Sequence, residues 1–208
     1  GPNPMKLYIS PTSPYARLAR IVIHEKGLGD RVEVIAAQTR KAGSPYYAIN
    51  PSGRVPYLVA DDGLTLEDSA LICAYLDGLD GKPRFVRRLE EDGWRYGRAE
   101  MLTRNFLDGI SVWAREMRRP PGERSPTILA HEMERAKRSA AAFDREVTQP
   151  PFVGPPCMAQ LILVAALDMA RFHKMGDLEG PNPRLSAWAK PLRERASVRA
   201  TAPEVPFG

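Results

Sequence analysis

The hydrophobic period of this chain changes once, near residue 80, and that change limits the fold more than any other feature. Before it, short strand and helix signals alternate. Lys6–Ser10 alternates as a strand, and Ser-Pro-Thr-Ser-Pro at 10–14 breaks it. Ala16, Ala19 and Ile23, with Leu18 and Val22, then recur at helical spacing until Gly27. Arg31–Ala36 reads as a second strand. Residues 38–54 hold Gly43, Ser44-Pro45, Asn50-Pro51 and Gly53, so loop and turn are expected there. Tyr57–Ala60 and Leu64–Leu66 flank the turn signal Asp62-Gly63, and Asp68-Ser69 opens a helix ending near Gly78. The order βαβ then ββα predicts a mixed sheet with helices packed on it.

Beyond Asp-Gly-Lys-Pro-Arg at 80–84, which reads as a linker, strand signals stop. Leu102, Phe106, Ile110, Trp113 and Met117 form one helical stripe, ended by Pro120-Pro121-Gly122. Leu129, Met133, Ala136, Ala140, Phe143 and Val147 form another, and the short connection predicts antiparallel packing. Met158–Ala170 is apolar nearly all round, as a buried central helix would be. A last helix is expected near Leu185–Ala196. The fold class that follows is α+β: a βαβ-ββα domain over residues 5–80, then an all-α helical bundle over 85–203.

Composition excludes several classes. At 43% hydrophobic and 26% charged, the chain reads as globular, not disordered. Gly-Pro-Asn-Pro ahead of Met5 reads as an engineered scar. No secretory signal is read, and the longest apolar run, Leu161–Leu167, is too short to span a bilayer, so no membrane association and a cytoplasmic setting are expected. The two cysteines, Cys73 and Cys157, have neither CxxC spacing nor a histidine cluster beside them. Buried, reduced thiols are expected, with no metal. The net charge of +5 comes from the second half, with clusters at Arg84, Arg87, Arg88 and at Arg115, Arg118, Arg119. Acidic residues interleave (Glu90, Glu91, Asp92, Glu116) and no nucleic-acid motif accompanies them, so solvated helix faces are expected and nucleic acid is not. His24, His131 and His173 sit among charged residues and are assigned to the surface.

Three segments carry possible chemistry. Ser13-Pro14 makes a good N-cap, with proline at the first helical position. A helix N-terminus also favours an anion, and thiol pKa values fall there from about 8.5. In Asn-Pro-Ser-Gly-Arg-Val-Pro at 50–56, a cis Val55-Pro56 bond would expose the Val55 N–H and C=O to an extended peptide. Glu67-Asp68-Ser69 is a capped helix start or a second anion site, where Ser69 holds a carboxylate and Asp68 an ammonium.

Taken in this order, Ser-Pro-Tyr-Ala-Arg at 13–17, Asn-Pro-Ser-Gly-Arg-Val-Pro-Tyr-Leu at 50–58 and Leu-Glu-Asp-Ser-Ala-Leu-Ile at 66–72 resemble the glutathione transferase superfamily. Asn-Pro-Arg-Leu-Ser-Ala-Trp at 182–188 and Glu-Arg-Ala-Ser-Val at 194–198 extend the likeness, which is nearest to bacterial serine-type members. The resemblance implies a thioredoxin-like first domain and glutathione as co-substrate. Ser13 would stabilise the glutathione thiolate, with Ser10 and Thr12 as rival hydroxyls. Val55 would pair with the cysteinyl backbone beside a cis Pro56. Asp68 and Ser69 would bind the γ-glutamyl end, and Arg54 the glycyl carboxylate. Tyr15 and some of Tyr96, Phe106 and Trp113 would line a pocket for a hydrophobic electrophile, although Phe106 and Trp113 suit core packing better. The resemblance also implies a homodimer, and a transferase with detoxifying conjugation as its activity. A glutathione-dependent isomerase, dehalogenase or ether-cleaving enzyme, or a non-catalytic stress-related binding protein, would share the same fold. Two departures stand out. Asp68 replaces the family's usual Glu or Gln, and Cys157 with Gln160 replaces a Ser/Thr…Asp capping box.

Overall fold

The first strand, β1 (Met5–Ile9), buries Met5, Leu7 and Ile9 and turns Lys6 to solvent. That alternation commits one face of the sheet to the core. The computed structural model describes residues 3–87 and 92–207, so Arg88, Glu90 and Glu91 of the charged segment lie outside the described residues. Residues up to Pro83, together with the tail from Val205, form one compact unit, and Arg84–Glu204 form a second.

In the first unit, α1 (Pro14–Glu25) links β1 to β2 (Val32–Ala36), which pairs with β1 in parallel. A one-turn helix α2 (Tyr46–Ile49) precedes β3 (Tyr57–Val59) and β4 (Thr65–Glu67). Both of these pairings are antiparallel, and the strand order is β2-β1-β3-β4. Helix α3 (Ser69–Gly78) follows and packs against α1. This is the mixed four-stranded sheet of a thioredoxin-like domain. The C-terminal ends of α1 and α3 are tied by a buried ion pair, with Lys26 Nζ 3.4 Å from Asp77. The same ammonium donates to Asp80 at 3.0 Å and to the Lys82 carbonyl at 2.9 Å. Three acceptors thus compensate one desolvated cation. At the end of the chain, Phe207 lies under the Arg20 guanidinium, 5.2 Å from its centroid.

The second unit is helical: α4 (Gly93–Met117), α5 (Pro126–Glu146), α6 (Met158–Phe172), α7 (Pro183–Arg193) and α8 (Ala196–Ala200), with a 3₁₀ turn at Pro121–Glu123. Helices α4 and α5 run antiparallel. Arg98 near the start of α4 meets Glu146 at the end of α5 (3.0 Å), while Glu116 near the other end accepts from the Ser125 N–H (2.9 Å). Ser125 caps α5 through the Ile128 N–H. Helix α6 is buried along nearly its whole length, as its apolar run predicts. An aromatic spine of Phe106, Phe143, Phe152 and Trp188 joins α4, α5, the following loop and α7, with successive centroids 5.2, 6.1 and 6.1 Å apart.

Three local expectations need correction. The expected loop at 38–54 contains α2. The expected last helix is two helices, α7 and α8, divided at Glu194-Arg195. At the departure from the family's capping box, Cys157 makes no side-chain cap bond, in keeping with its poor capping chemistry, and Gln160 Nε2 donates to the Pro151 carbonyl at 2.8 Å. The orphan N–H of Met158 finds the Phe85 carbonyl at 3.0 Å. His24 and His131 are exposed, but His173 is half-buried, and its Nε2 is out of solvent without a hydrogen-bond partner. Burial, and then the nearby Arg118, push the His173 pKa below its ordinary 6.5.

Candidate functional site

The strand register assembles the site. Tyr8 sits opposite Tyr57, and Tyr57 opposite Glu67. The loop leaving β1 (10–13), the loop entering β3 (54–56) and the chain leaving β4 (68–69) therefore emerge at the same end of the sheet. All three sequence-predicted segments lie there, within the first unit.

Ser13 is the N-cap of α1, and its Oγ accepts from the Ala16 N–H at 3.1 Å. Pro14 follows at the first helical position, where its missing N–H costs nothing. The cap uses a lone pair of the hydroxyl and leaves its proton to donate elsewhere, beside the positive end of the helix. Of the rival hydroxyls, Ser10 is half-buried and Thr12 exposed, and neither side chain makes a hydrogen bond among the described residues. Ser10 contributes its carbonyl, which accepts from the Ser13 N–H at 3.2 Å.

The Val55-Pro56 peptide bond is cis. Among the described residues the Val55 backbone makes no hydrogen bond, so its N–H and C=O keep their capacity for an extended ligand. Arg54 is exposed, and its carbonyl is held by Tyr46 Oη at 2.6 Å and Asn50 Nδ2 at 3.0 Å. Gly53 has φ +68°, and a Cβ there would come 2.6 Å from Tyr47 Cε1, so only glycine fits.

Asp68 adopts φ +74°, ψ 127°, a backbone region that costs a non-glycine residue about 1–3 kcal/mol. Its carboxylate caps α3 by accepting from the Ala70 N–H at 2.8 Å. Ser69, the first residue of α3, is buried. A strained, capped helix start beside Ser13 and Val55 thus gives the site a second helix N-terminus.

Other candidates fall elsewhere. Tyr15 is half-buried in α1. Phe106 and Trp113 are core residues of the helical unit, at 4% and 6% exposure. The Tyr96 ring is covered by the Arg87 guanidinium at 5.3 Å, and its hydroxyl accepts from the same residue at 3.1 Å. Arg84 lies over Phe85, and Arg119 donates to the Glu123 carbonyl, so part of the basic clusters is engaged in local structure. Cys73 and Cys157 are buried and neither forms a disulfide. Burial pushes the Cys157 thiol up, away from thiolate chemistry. The group missed by sequence reasoning is Glu67 with Asn50, Ser52 and Tyr46. Their contacts span up to 17 residues, and no periodicity signals them.

Residues 7–84 match the family described as glutathione S-transferase, N-terminal domain. The uncharacterized GST-like protein YibF of Escherichia coli is 32% identical over 135 residues, 65% of this chain and 66% of that protein. Glutathione S-transferase 2 of Saccharomyces cerevisiae is 27% identical over 206 residues, covering 94% of this chain and 88% of that protein. A glutathione S-transferase structure from Methylobacillus flagellatus with GSH bound superposes with a TM-score of 0.85 at 26% identity, over 96% of this chain and 99% of that one. These likenesses support membership of the glutathione transferase superfamily, whose fold the chain has.

Proposed function

We propose that the protein is a serine-type glutathione transferase that binds glutathione at this end of the first unit and activates its thiol for attack on a hydrophobic electrophile. The carrying observation is the convergence of two capped helix starts, at Ser13 and Asp68-Ser69, with the unpaired backbone of Val55. Each matches one part of a γ-glutamyl tripeptide. The Ser13 hydroxyl donates its remaining proton to the sulfur, and the α1 N-terminus favours the thiolate. Val55 pairs with the cysteinyl backbone in antiparallel fashion. Ser69 and the α3 N-terminus take the γ-glutamyl carboxylate, Asp68 takes the ammonium, and Arg54 takes the glycyl carboxylate. A bound GSH in the Methylobacillus structure supports the ligand. A cytoplasmic homodimer belongs to the same proposal, and sedimentation tests the assembly.

Reaction type follows from the residue at position 13. Deglutathionylation runs through a mixed disulfide, which needs a protein thiolate at that place. A serine hydroxyl forms no such bond, and both cysteines are buried. Conjugation or isomerisation is therefore expected, with little disulfide reductase activity. Retention on immobilised glutathione and turnover of an aryl halide test the binding and the chemistry. Ser13→Cys should raise reductase activity and lower conjugation, with a glutathione adduct visible by mass spectrometry. Strong wild-type reductase activity through an adduct on Cys73 or Cys157 would overturn the assignment.

A further inference from the structure

The donor that meets the cysteinyl carbonyl in the proposed site is a backbone N–H, and backbone groups are aimed by their peptide plane. The Arg54 carbonyl and the Val55 N–H belong to one trans peptide unit, so fixing the carbonyl fixes the N–H. Two buried side chains hold that carbonyl: Tyr46 Oη at 2.6 Å and Asn50 Nδ2 at 3.0 Å. The Asn50 amide is oriented in turn. Its Nδ2 also donates to Glu67 Oε1 at 3.0 Å, and its Oδ1 accepts from the Ser52 N–H at 3.2 Å. A flipped amide would set Oδ1 against a carbonyl and a carboxylate, two acceptors, so the carboxylate selects the rotamer. Ser52 Oγ also contacts Glu67 Oε1, closing the network on the β4 side.

We infer that Tyr46, and Glu67 acting through Asn50, are positioning residues that aim the Val55 N–H at the ligand. This rests on the proposed glutathione site but concerns residues outside it. The network makes the Arg54 carbonyl a doubly satisfied acceptor, so rotation of the 54–55 peptide breaks two hydrogen bonds at once. Burial raises the Tyr46 phenol above its ordinary 10.0, so the hydroxyl keeps its proton at working pH. Because Glu67 ends β4, its carboxylate also ties the entry to β3 to the segment that becomes Asp68 and Ser69.

The test compares wild type with Tyr46→Phe, Glu67→Ala and Glu67→Gln as the full chain. Backbone ¹⁵N relaxation reads the Val55 N–H without ligand. An order parameter of about 0.85 in wild type should drop below about 0.6 in Tyr46→Phe and Glu67→Ala. Glu67→Gln should restore it, because its amide oxygen still accepts from Asn50. Glutathione titration should show a Kd about tenfold weaker in the first two variants, while kcat at saturating glutathione stays within about twofold. An unchanged Val55 order parameter in Tyr46→Phe and Glu67→Ala overturns the inference. If wild type itself binds no glutathione, the site reading fails, and the relaxation data still decide whether the network orders the peptide.

Discussion

A hydroxyl at a helix start has two uses, and the side chains at 13 and 69 separate them. Ser13 already accepts from Ala16, so its loss costs a cap as well as any ligand contact. At α3 the cap is Asp68, so the helix keeps its own cap when the Ser69 hydroxyl is removed. Ser69→Ala should therefore weaken glutathione binding by about 1.5–3 kcal/mol, the worth of a hydrogen bond to a charged group. Calorimetry checks it, and an unchanged Kd retires Ser69 as a γ-glutamyl contact. His173 gives a second prediction at this scale. Its folded pKa lies below 6.5, so the unfolded chain takes up the proton first as pH falls. The stability it contributes is full above about pH 6.5 and is lost as pH falls from there through the folded value. Urea midpoints measured between about pH 8 and pH 5 should decline, and His173→Gln should flatten the decline.

Elements were legible where their signals are local. The Ser13-Pro14 start of α1 and the Asp68-Ser69 start of α3 are read from adjacent residues, and both stand. The stripes of α4 and α5 and the apolar run of α6 are periodic over many residues, so their existence and packing were readable. Helix α2 was not, because its four residues lie between Ser44-Pro45 and Asn50-Pro51, both turn signals. The departure from a capping box at Cys157 and Gln160 was readable, and Cys157 makes no cap bond, but the Gln160 amide bonds to the Pro151 and Pro155 carbonyls of the preceding loop were not, because sequence spacing does not show them. The Lys26–Asp77 clamp was equally invisible, since its partners close the ends of two helices 51 positions apart in sequence number. It carries its own prediction. Asp77→Ala removes one of three acceptors from a buried ammonium that keeps Asp80 and the Lys82 carbonyl, and should cost about 1.5–3 kcal/mol. Calorimetric unfolding checks it, and the apolar double replacement Lys26→Met with Asp77→Leu should recover part of the loss.

At the scale of the whole molecule, every residue assigned to glutathione lies between 13 and 69, in the first unit. The Glu67 network that braces them lies there too. Chain connectivity explains why three segments with weak individual signals make one site: the antiparallel pairings of β1 with β3 and of β3 with β4 bring the end of β1, the start of β3 and the end of β4 together. The central claim is that this arrangement stabilises a thiolate, and thiolate absorbance of bound glutathione tests it most directly. Titrated on the saturated protein, the bound thiol should ionise well below the ordinary thiol value of about 8.5. In Ser13→Ala, which should also lose about 0.5–2 kcal/mol of stability with its cap, the midpoint should rise back towards that value. A wild-type midpoint no lower than that of free glutathione, or one that Ser13→Ala leaves unmoved, would contradict thiolate activation by Ser13.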